Sequence, residues 1–254
     1  MKNWKAVLLL GVCLACSGFT SNPALAQSPN ASVYVVHGIP GHDVNEALDP
    51  ALPVDVIVNP GKTQICLLQG LKFGDIAGPL TIPPGTYPIA ISPANTVAPC
   101  SNPVLLGPAS VTFTAGENAS VVAYLNAEGQ PGVTKFDNDL TNPIANGNSR
   151  LIVQHTANAP AVDIHVVRYG LYPPIPPTTI PNVSNGEQTK ADLPSEKPIF
   201  YGATRVFLTP AGENSPVIGP YFFQLNPHSV YLIYAVGSLS TQSFTLISKV
   251  IPGV

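Results

Sequence analysis

The 254-residue sequence has few charged side chains. Asp, Glu, Lys and Arg together account for 10% of it, whereas a soluble globular domain has about 25%. The formal net charge is −3 and the basic residues are scattered, so the sequence lacks the basic surface of a nucleic-acid-binding protein. A hydrophobic content of 45% also excludes a disordered chain. The composition therefore predicts one large or two small folded domains without a nucleic-acid partner.

Long helices are not expected either, because the 29 prolines occur about once in nine residues and proline interrupts a helix. Short runs rich in β-branched residues are present instead. Val54, Val56 and Val58 alternate with other residues, which would place them on one face of a strand. Residues 120–125 and 229–235 are continuous apolar runs, typical of central strands buried on both faces. We therefore predict an all-β fold.

The first 26 residues have the pattern of a cleavable export signal. Lys2 and Lys5 precede an apolar stretch of eleven residues, 6–16, and the small residues Ala24 and Ala26 form a cleavage site. The apolar stretch is too short for a stable transmembrane anchor. We therefore expect a secreted, periplasmic or cell-surface protein that has no transmembrane span after signal cleavage.

Cysteine is scarce, and its placement follows from the predicted cleavage. Cys13 and Cys16 lie within the signal, which leaves Cys66 and Cys100 in the mature chain. Two cysteines in an exported chain are expected to form a disulfide. The alternative to simple cleavage is a lipid anchor through Cys16, because residues 13–16 resemble a weak bacterial lipobox.

An internal repeat organises the rest of the sequence. Four stretches recur in the same order about 110 residues later: 31–37 as 149–155, 53–58 as 161–166, 105–108 as 217–220, and 111–125 as 222–236. We predict two tandem antiparallel β-sandwich domains of the immunoglobulin-like type. Their expected boundaries are signal peptide 1–26, first sandwich 27–140, linker 141–148 and second sandwich 149–254.

The repeated motifs resemble a bacterial family called domain of unknown function 4397. The resemblance lies in residues 35–37 with 54–56, and more closely in residues 153–163. The first copy departs from the family pattern by an insertion at 41–52. The second copy lacks the Gly-Thr-Tyr turn and has a proline-rich loop from residue 172, which we expect to be exposed and extended. The resemblance implies a secreted or surface-attached β domain, often in tandem, with no established reaction and no catalytic residues to transfer.

Histidine and aspartate recur at matched positions of the two copies. Two weak candidate metal sets can be drawn from them: His37, His42 and Asp43 in the first copy, and His155, Asp163 and His165 in the second. The alternative is structural. In that case His37 and His155 would bond to the backbone of the following turn, and Asp55 and Asp163 would cap backbone N–H groups of neighbouring loops. We favour the structural interpretation and predict no cofactor.

No motif in the sequence indicates an enzyme. The Gly-x-Ser-x-Gly elbow, the His-Glu-x-x-His zinc motif and a glycine-rich phosphate loop are all lacking. We therefore expect a non-enzymatic cell-envelope or extracellular protein, acting as an adhesion or structural interaction module for an unknown protein or glycan. One alternative is a carbohydrate or small-ligand module with a stacking surface made from Tyr169, Tyr172, Tyr201, Tyr221, Phe222 and Phe223. A lesser alternative is a metal-dependent enzyme.

Overall fold

The computed structural model describes residues 29–59, 61, 63–140, 144–145, 147–168, 176–194 and 204–254. The predicted signal peptide, the lipobox at Cys16 and the prolines at 173 and 174 lie outside the described residues. Within them the chain forms sixteen strands and one four-residue helix, α1 (Gly41–Val44). No helix in these ranges is long and apolar enough to cross a membrane.

The strands are short and follow one another closely. They are β1 (Ala31–His37), β2 (Val54–Val58), β3 (Ile65–Leu71), β4 (Ile76–Ile82), β5 (Gly85–Pro93), β6 (Leu106–Phe113), β7 (Asn118–Leu125), β8 (Pro131–Asp137), β9 (Asn148–His155), β10 (Val162–Arg168), β11 (Thr178–Val183), β12 (Glu187–Pro194), β13 (Thr204–Pro210), β14 (Ile218–Phe223), β15 (Ser229–Val236) and β16 (Thr245–Pro252). The all-β prediction is therefore confirmed.

These strands form four sheets of four strands each. The orders β4-β1-β7-β8 and β3-β2-β5-β6 make the first sandwich, and β12-β9-β15-β16 and β11-β10-β13-β14 make the second. Adding eight to each strand label of the first pair gives the strand orders of the second pair. The domain boundaries at 27–140 and 149–254 remain a prediction.

One ladder in each sandwich departs from the expected antiparallel pairing. β1 pairs with β7 in parallel, and β9 pairs with β15 in parallel. All other ladders are antiparallel. A parallel pair needs a long connection between its strands. Here five strands of the same unit lie between the two partners, so the first and seventh strands become the centre of one sheet.

The central strands are buried on both faces because each contributes to two cores. Along β1, Val33 and Val35 belong to the interior cluster of the first sandwich. Tyr34 and Val36 point the other way and join a cluster shared with β9 and β15. Alternate side chains of a strand point to opposite faces, so a continuous apolar run can serve both clusters. The prediction that residues 120–125 and 229–235 are buried is confirmed, except that Tyr124 is half-buried.

The cluster on the outer face of β1 joins the two sandwiches. Its buried members are Tyr34, Val36, Val122, Phe136, Ile144, Ile152, Val230, Leu232, Tyr234 and Val236. A short polar chain lies inside it, where the Ser120 hydroxyl donates to Oδ1 of Asn138 at 2.8 Å and lies 2.7 Å from the Tyr234 hydroxyl. Since Ser120 has one proton, Tyr234 must donate to it. Burial raises the pKa of Tyr234, which keeps that proton in place.

Arg150 secures the chain where it passes from one sandwich to the other. The residue is 4% exposed, and its guanidinium donates to both carboxylate oxygens of Asp192 at 2.7 and 2.8 Å. It also donates to the carbonyl of Asp139 at 2.9 Å. Lys190 contacts the carboxylate of Asp139 from β12. The end of the first sandwich is therefore held by charged groups of the second.

Candidate functional site

The two strand-ending histidines bond to backbone. His37 is 2% exposed, and its Nε2 lies 2.9 Å from the carbonyl oxygen of Leu52. The N–H of Ile39 points to its Nδ1 at 3.5 Å. His155 is fully buried, with Nε2 3.0 Å from the carbonyl oxygen of Pro160. Burial lowers the pKa of both rings, so each is neutral near pH 7 and donates through Nε2.

Asp55 in β2 holds three separate backbone segments. Its carboxylate accepts hydrogen bonds from the N–H groups of Gly70, Asn95 and Cys100, at 2.9, 3.2 and 2.7 Å. It is 1% exposed. Bonds from N–H groups to a charged acceptor are stronger than those between neutral groups. The carboxylate thus fixes the turn at Gly70 and the loop that follows β5.

Asp163 in β10 does the same with two segments of the second sandwich. It accepts from the N–H groups of Asn182 and Gly212, at 2.8 and 2.9 Å. These two bonds lower its pKa because they favour the charged form. The matched aspartates therefore have the structural partners expected from the sequence.

The first candidate metal set does not converge with His37. His42 and Asp43 lie in α1, with Nε2 of His42 3.2 Å from Oδ1 of Asp43. The other oxygen of Asp43 accepts from the Ser243 hydroxyl at 2.6 Å, which is a contact with the second sandwich. His37 instead faces Leu52. The pair in α1 therefore forms part of the junction between the sandwiches.

The second candidate set is also dispersed among other partners. His165 lies between two threonine hydroxyls, with Nδ1 3.1 Å from Thr179 and Nε2 3.0 Å from Thr209. His155 and Asp163 face the backbone partners given above. In the ranges that the structure describes, which include all six candidate ligands, no group of three His, Cys, Asp or Glu side chains could hold a metal ion.

The predicted disulfide between Cys66 and Cys100 is present, with Cα atoms 5.7 Å apart. Cys66 lies in β3, an edge strand, and Cys100 lies in the loop between β5 and β6. The same loop is held by Asp55 through the N–H of Cys100. A covalent bond and a carboxylate therefore fix one end of the first sandwich.

The interior of the first sandwich contains a cavity of about 160 Å³. Its walls come from both sheets and are apolar, with the Tyr87 hydroxyl as the polar group among the described lining side chains: Val33, Val35, Val56, Val58, Ile65, Leu67, Leu80, Ile82, Pro83, Tyr87, Ile89, Phe113 and Val121. The Tyr87 hydroxyl is used locally, since it donates to the carbonyl of Pro83 at 2.9 Å. Ile65 is 55% exposed, so the cavity reaches the surface beside the edge strand β3.

The first sandwich has smaller side chains than the second at several matched central positions. In the parallel ladder Val33 pairs with Ala119, and the matched pair in the second sandwich is Leu151 with Tyr231. Tyr231 is 2% exposed and Ala119 is fully buried, so the second sandwich has a large buried side chain where the first has a methyl group. At two further matched positions the first sandwich again has the smaller side chain. These are Val56, where the second has Ile164, and Val121, where the second has Ile233. Sequence reasoning missed this cavity, although the small side chains could have indicated it.

The proposed aromatic stacking surface is not assembled in the described residues. Tyr169, Tyr172 and Tyr201 lie outside them. Phe222 is 63% exposed. Phe223 packs edge-on against Tyr231, with ring centroids 6.4 Å apart, and the Tyr221 hydroxyl lies 2.9 Å from that of Thr245. Neighbouring aromatic side chains of β14 thus point to different surroundings.

Comparison with solved structures gives weak likenesses. The Bacillus anthracis TIE protein is 11% identical over 87% of this chain, with a TM-score of 0.23, and the match spans about a third of that protein (34%). A "putative cell adhesion protein" from Bacteroides uniformis ATCC 8492 is 10% identical over 91% of this chain and 99% of its own, with a TM-score of 0.22. Both TM-scores are below 0.5, so neither likeness supports an argument about function.

Comparison with curated proteins finds no match. A family comparison does. The family described as Domain of unknown function (DUF4397) matches residues 31–165, from the start of β1 into β10. This match covers more than half of the chain, and the resemblance noted in the motifs is therefore confirmed: the chain belongs to the DUF4397 family.

Proposed function

We propose that this chain is an exported, non-enzymatic interaction module of the cell envelope or extracellular space. In this proposal it consists of two β-sandwich domains, 27–140 and 149–254, that act as one unit. The observation that carries the proposal is the Cys66–Cys100 disulfide, because such bonds persist mainly in oxidising compartments. The signal pattern in residues 1–26 supports the same compartment.

The roles of the polar side chains favour a scaffold over a catalyst. His37, His155, Asp55 and Asp163 all form hydrogen bonds with backbone groups of nearby turns and loops. Each therefore fixes the geometry of the loops at the ends of a sandwich. Loops held on a rigid scaffold are where binding residues of sandwich proteins concentrate.

The packing between the sandwiches supports a unit with a fixed geometry. A cluster of ten buried apolar side chains, the Ser120–Tyr234 hydrogen bond and the Arg150–Asp192 ion pair all lie at or beside this junction. Large apolar interfaces restrict domain motion. An adhesion or envelope module gains from such restriction, because it holds its binding loops at a constant spacing.

The test of export is expression of the full sequence in a bacterial host, followed by fractionation and intact-mass measurement. We expect the protein outside the cytoplasm, lacking residues 1–26 and two mass units lighter than its reduced form. Changing Ala24 and Ala26 to Asp should block cleavage, and Cys16→Ser should have no effect. Retention in the cytoplasm with free thiols would contradict the proposal, whereas a lipid mass on Cys16 would indicate an anchored form.

A second candidate function, ligand binding, is favoured by the cavity in the first sandwich. Carbohydrate binding needs polar groups that replace the water around each hydroxyl, and the lining of this cavity offers Tyr87 alone among the described residues. The cavity therefore favours a small apolar ligand over a sugar.

A further inference from the structure

We propose that the cavity of the first sandwich binds a small, uncharged apolar molecule of about the size of benzene. Its volume is about 160 Å³. An engineered apolar cavity of about 150 Å³ in another protein remains dry and binds benzene. This inference does not depend on export. Ligand binding can fail while the protein is still secreted and oxidised, and the reverse also holds.

The lining determines the chemical class of the ligand. A buried water needs two to four polar partners, and the Tyr87 hydroxyl already donates to Pro83. Water therefore gains little by occupying the cavity. A ligand with a charge or a hydrogen-bonding group would lose its bonds to water and gain no replacement. The ligand can therefore be bound only through apolar contacts with the valine, leucine, isoleucine and phenylalanine side chains of the lining.

The ligand has a route into the cavity between the two edge strands. β3 is the edge of one sheet and β4 is the edge of the other, and no strand formed by the described residues pairs with their free edges. Ile65 and Leu67 of β3 and Leu80 and Ile82 of β4 line the cavity at this side. Ile65 is more than half exposed, so rotation of its side chain opens the cavity without breaking a sheet.

The second sandwich supplies the substitutions that should remove the site. Val33→Leu and Val56→Ile introduce the residues that occupy the matched places, Leu151 and Ile164. These changes add methyl or methylene groups to the cavity wall and add no polar atom. Val97→Ile is the matched control, since Val97 is 92% exposed and the change is chemically the same as at Val56.

The experiment is a benzene titration of the protein made from its full sequence, followed by methyl NMR and calorimetry. We expect saturable binding with shifts confined to methyl groups of the cavity lining. Phenol, which differs by one hydroxyl, should bind about tenfold or more weakly, because that group would be buried without a partner. The Val33→Leu/Val56→Ile variant should lose at least about tenfold in benzene affinity, while Val97→Ile should match the wild type.

Thermal melting shows that each variant is folded before its affinity is compared. If the double variant does not fold, Val121→Ile provides the same test with one added methylene group. The matched residue in the second sandwich is Ile233. The proposal is overturned if benzene does not saturate the wild type. It is also overturned if phenol binds as tightly, or if folded cavity-filling variants bind benzene as well as Val97→Ile does.

Discussion

The two sandwiches share a strand order but stabilise their interiors differently. The second fills its core with large side chains, among which Tyr231 is packed by Phe223 and donates from its hydroxyl to the carbonyl of Gln224 at 2.6 Å. The first has Ala119 at the matched place, contains a cavity, and has the disulfide that the second lacks. Both sandwiches bind loops through a buried aspartate, so the feature that distinguishes the first is the cross-link beside its cavity.

The comparison of the two sandwiches also distinguishes features of the scaffold from features of a possible binding site. The features common to both sandwiches are the strand-ending histidine, the aspartate in the second strand and the parallel central ladder. These features bond to backbone and therefore define the architecture. The disulfide is confined to the first sandwich, which also contains the cavity described above.

The largest effect is expected when the second sandwich is made like the first. Tyr231→Ala should lower the free energy of unfolding by about 3–5 kcal/mol, because a large buried side chain is replaced by a cavity. Urea denaturation measures the change. Tyr231→Phe is the control and should lose about 1–3 kcal/mol, because the hydroxyl donates to the carbonyl of Gln224 and accepts from the N–H of Asn226. A loss below that of the control would contradict the packing comparison.

Removal of the disulfide should have the next largest effect. The Cys66→Ala/Cys100→Ala variant is expected to lose about 2–4 kcal/mol, because the loop closed by the bond is freed in the unfolded chain. Hydrogen exchange should show the loss of protection mainly in β2, β3 and β5. A reductant should reproduce the effect in the wild type and change nothing in the variant. An equal loss of hydrogen-exchange protection in both sandwiches would contradict the prediction that the disulfide stabilises the first one specifically.

The matched aspartates give a smaller, graded test. Asp55→Asn should lower the free energy of unfolding by about 1.5–3 kcal/mol, since charge-assisted bonds to three N–H groups are weakened. Asp163→Asn should have a smaller effect because that carboxylate accepts from two N–H groups. Denaturation of both variants at pH 7 decides the order. The reverse order would mean that the number of bonds does not determine the contribution.

The smallest effect is expected from the buried histidine that ends the first strand of each sandwich. Burial lowers the pKa of His37 and His155 in the folded protein, whereas in the unfolded chain it is about 6.5. Below about pH 6.5 the unfolded state therefore binds more protons, and stability should fall as the pH decreases toward 5. The urea midpoint of a His37→Gln/His155→Gln variant should depend less on pH over this range. An unchanged pH dependence in the double variant would contradict the prediction.

Local pattern was sufficient for much of the scaffold. Residues 31–37 were predicted as a strand and form β1 with the same bounds, and the pairing of Cys66 with Cys100 followed from counting cysteines in an exported chain. Asp55 and Asp163 stand among alternating valines and isoleucines, so burial of a carboxylate there required N–H partners. In each case the signal lies within a few neighbouring residues.

The remaining features depend on contacts between distant segments. The parallel β1–β7 ladder joins strands at opposite ends of the first sandwich, and no local sequence signal specifies its direction. The cavity depends on how side chains from Val33, Val56 and Phe113 meet across two sheets. Whether small side chains leave a void or allow the sheets to approach is a property of packing, which a linear pattern does not contain.

The parallel ladder between β1 and β7 also constrains the order in which the protein can fold. Hairpins such as β7–β8 can form locally, but β1 has no central partner until almost the whole first sandwich has been synthesised. Pairings of such large sequence separation form slowly. The central sheet of the first sandwich therefore cannot close until β7 has been synthesised, and until then β1 remains without its central partner.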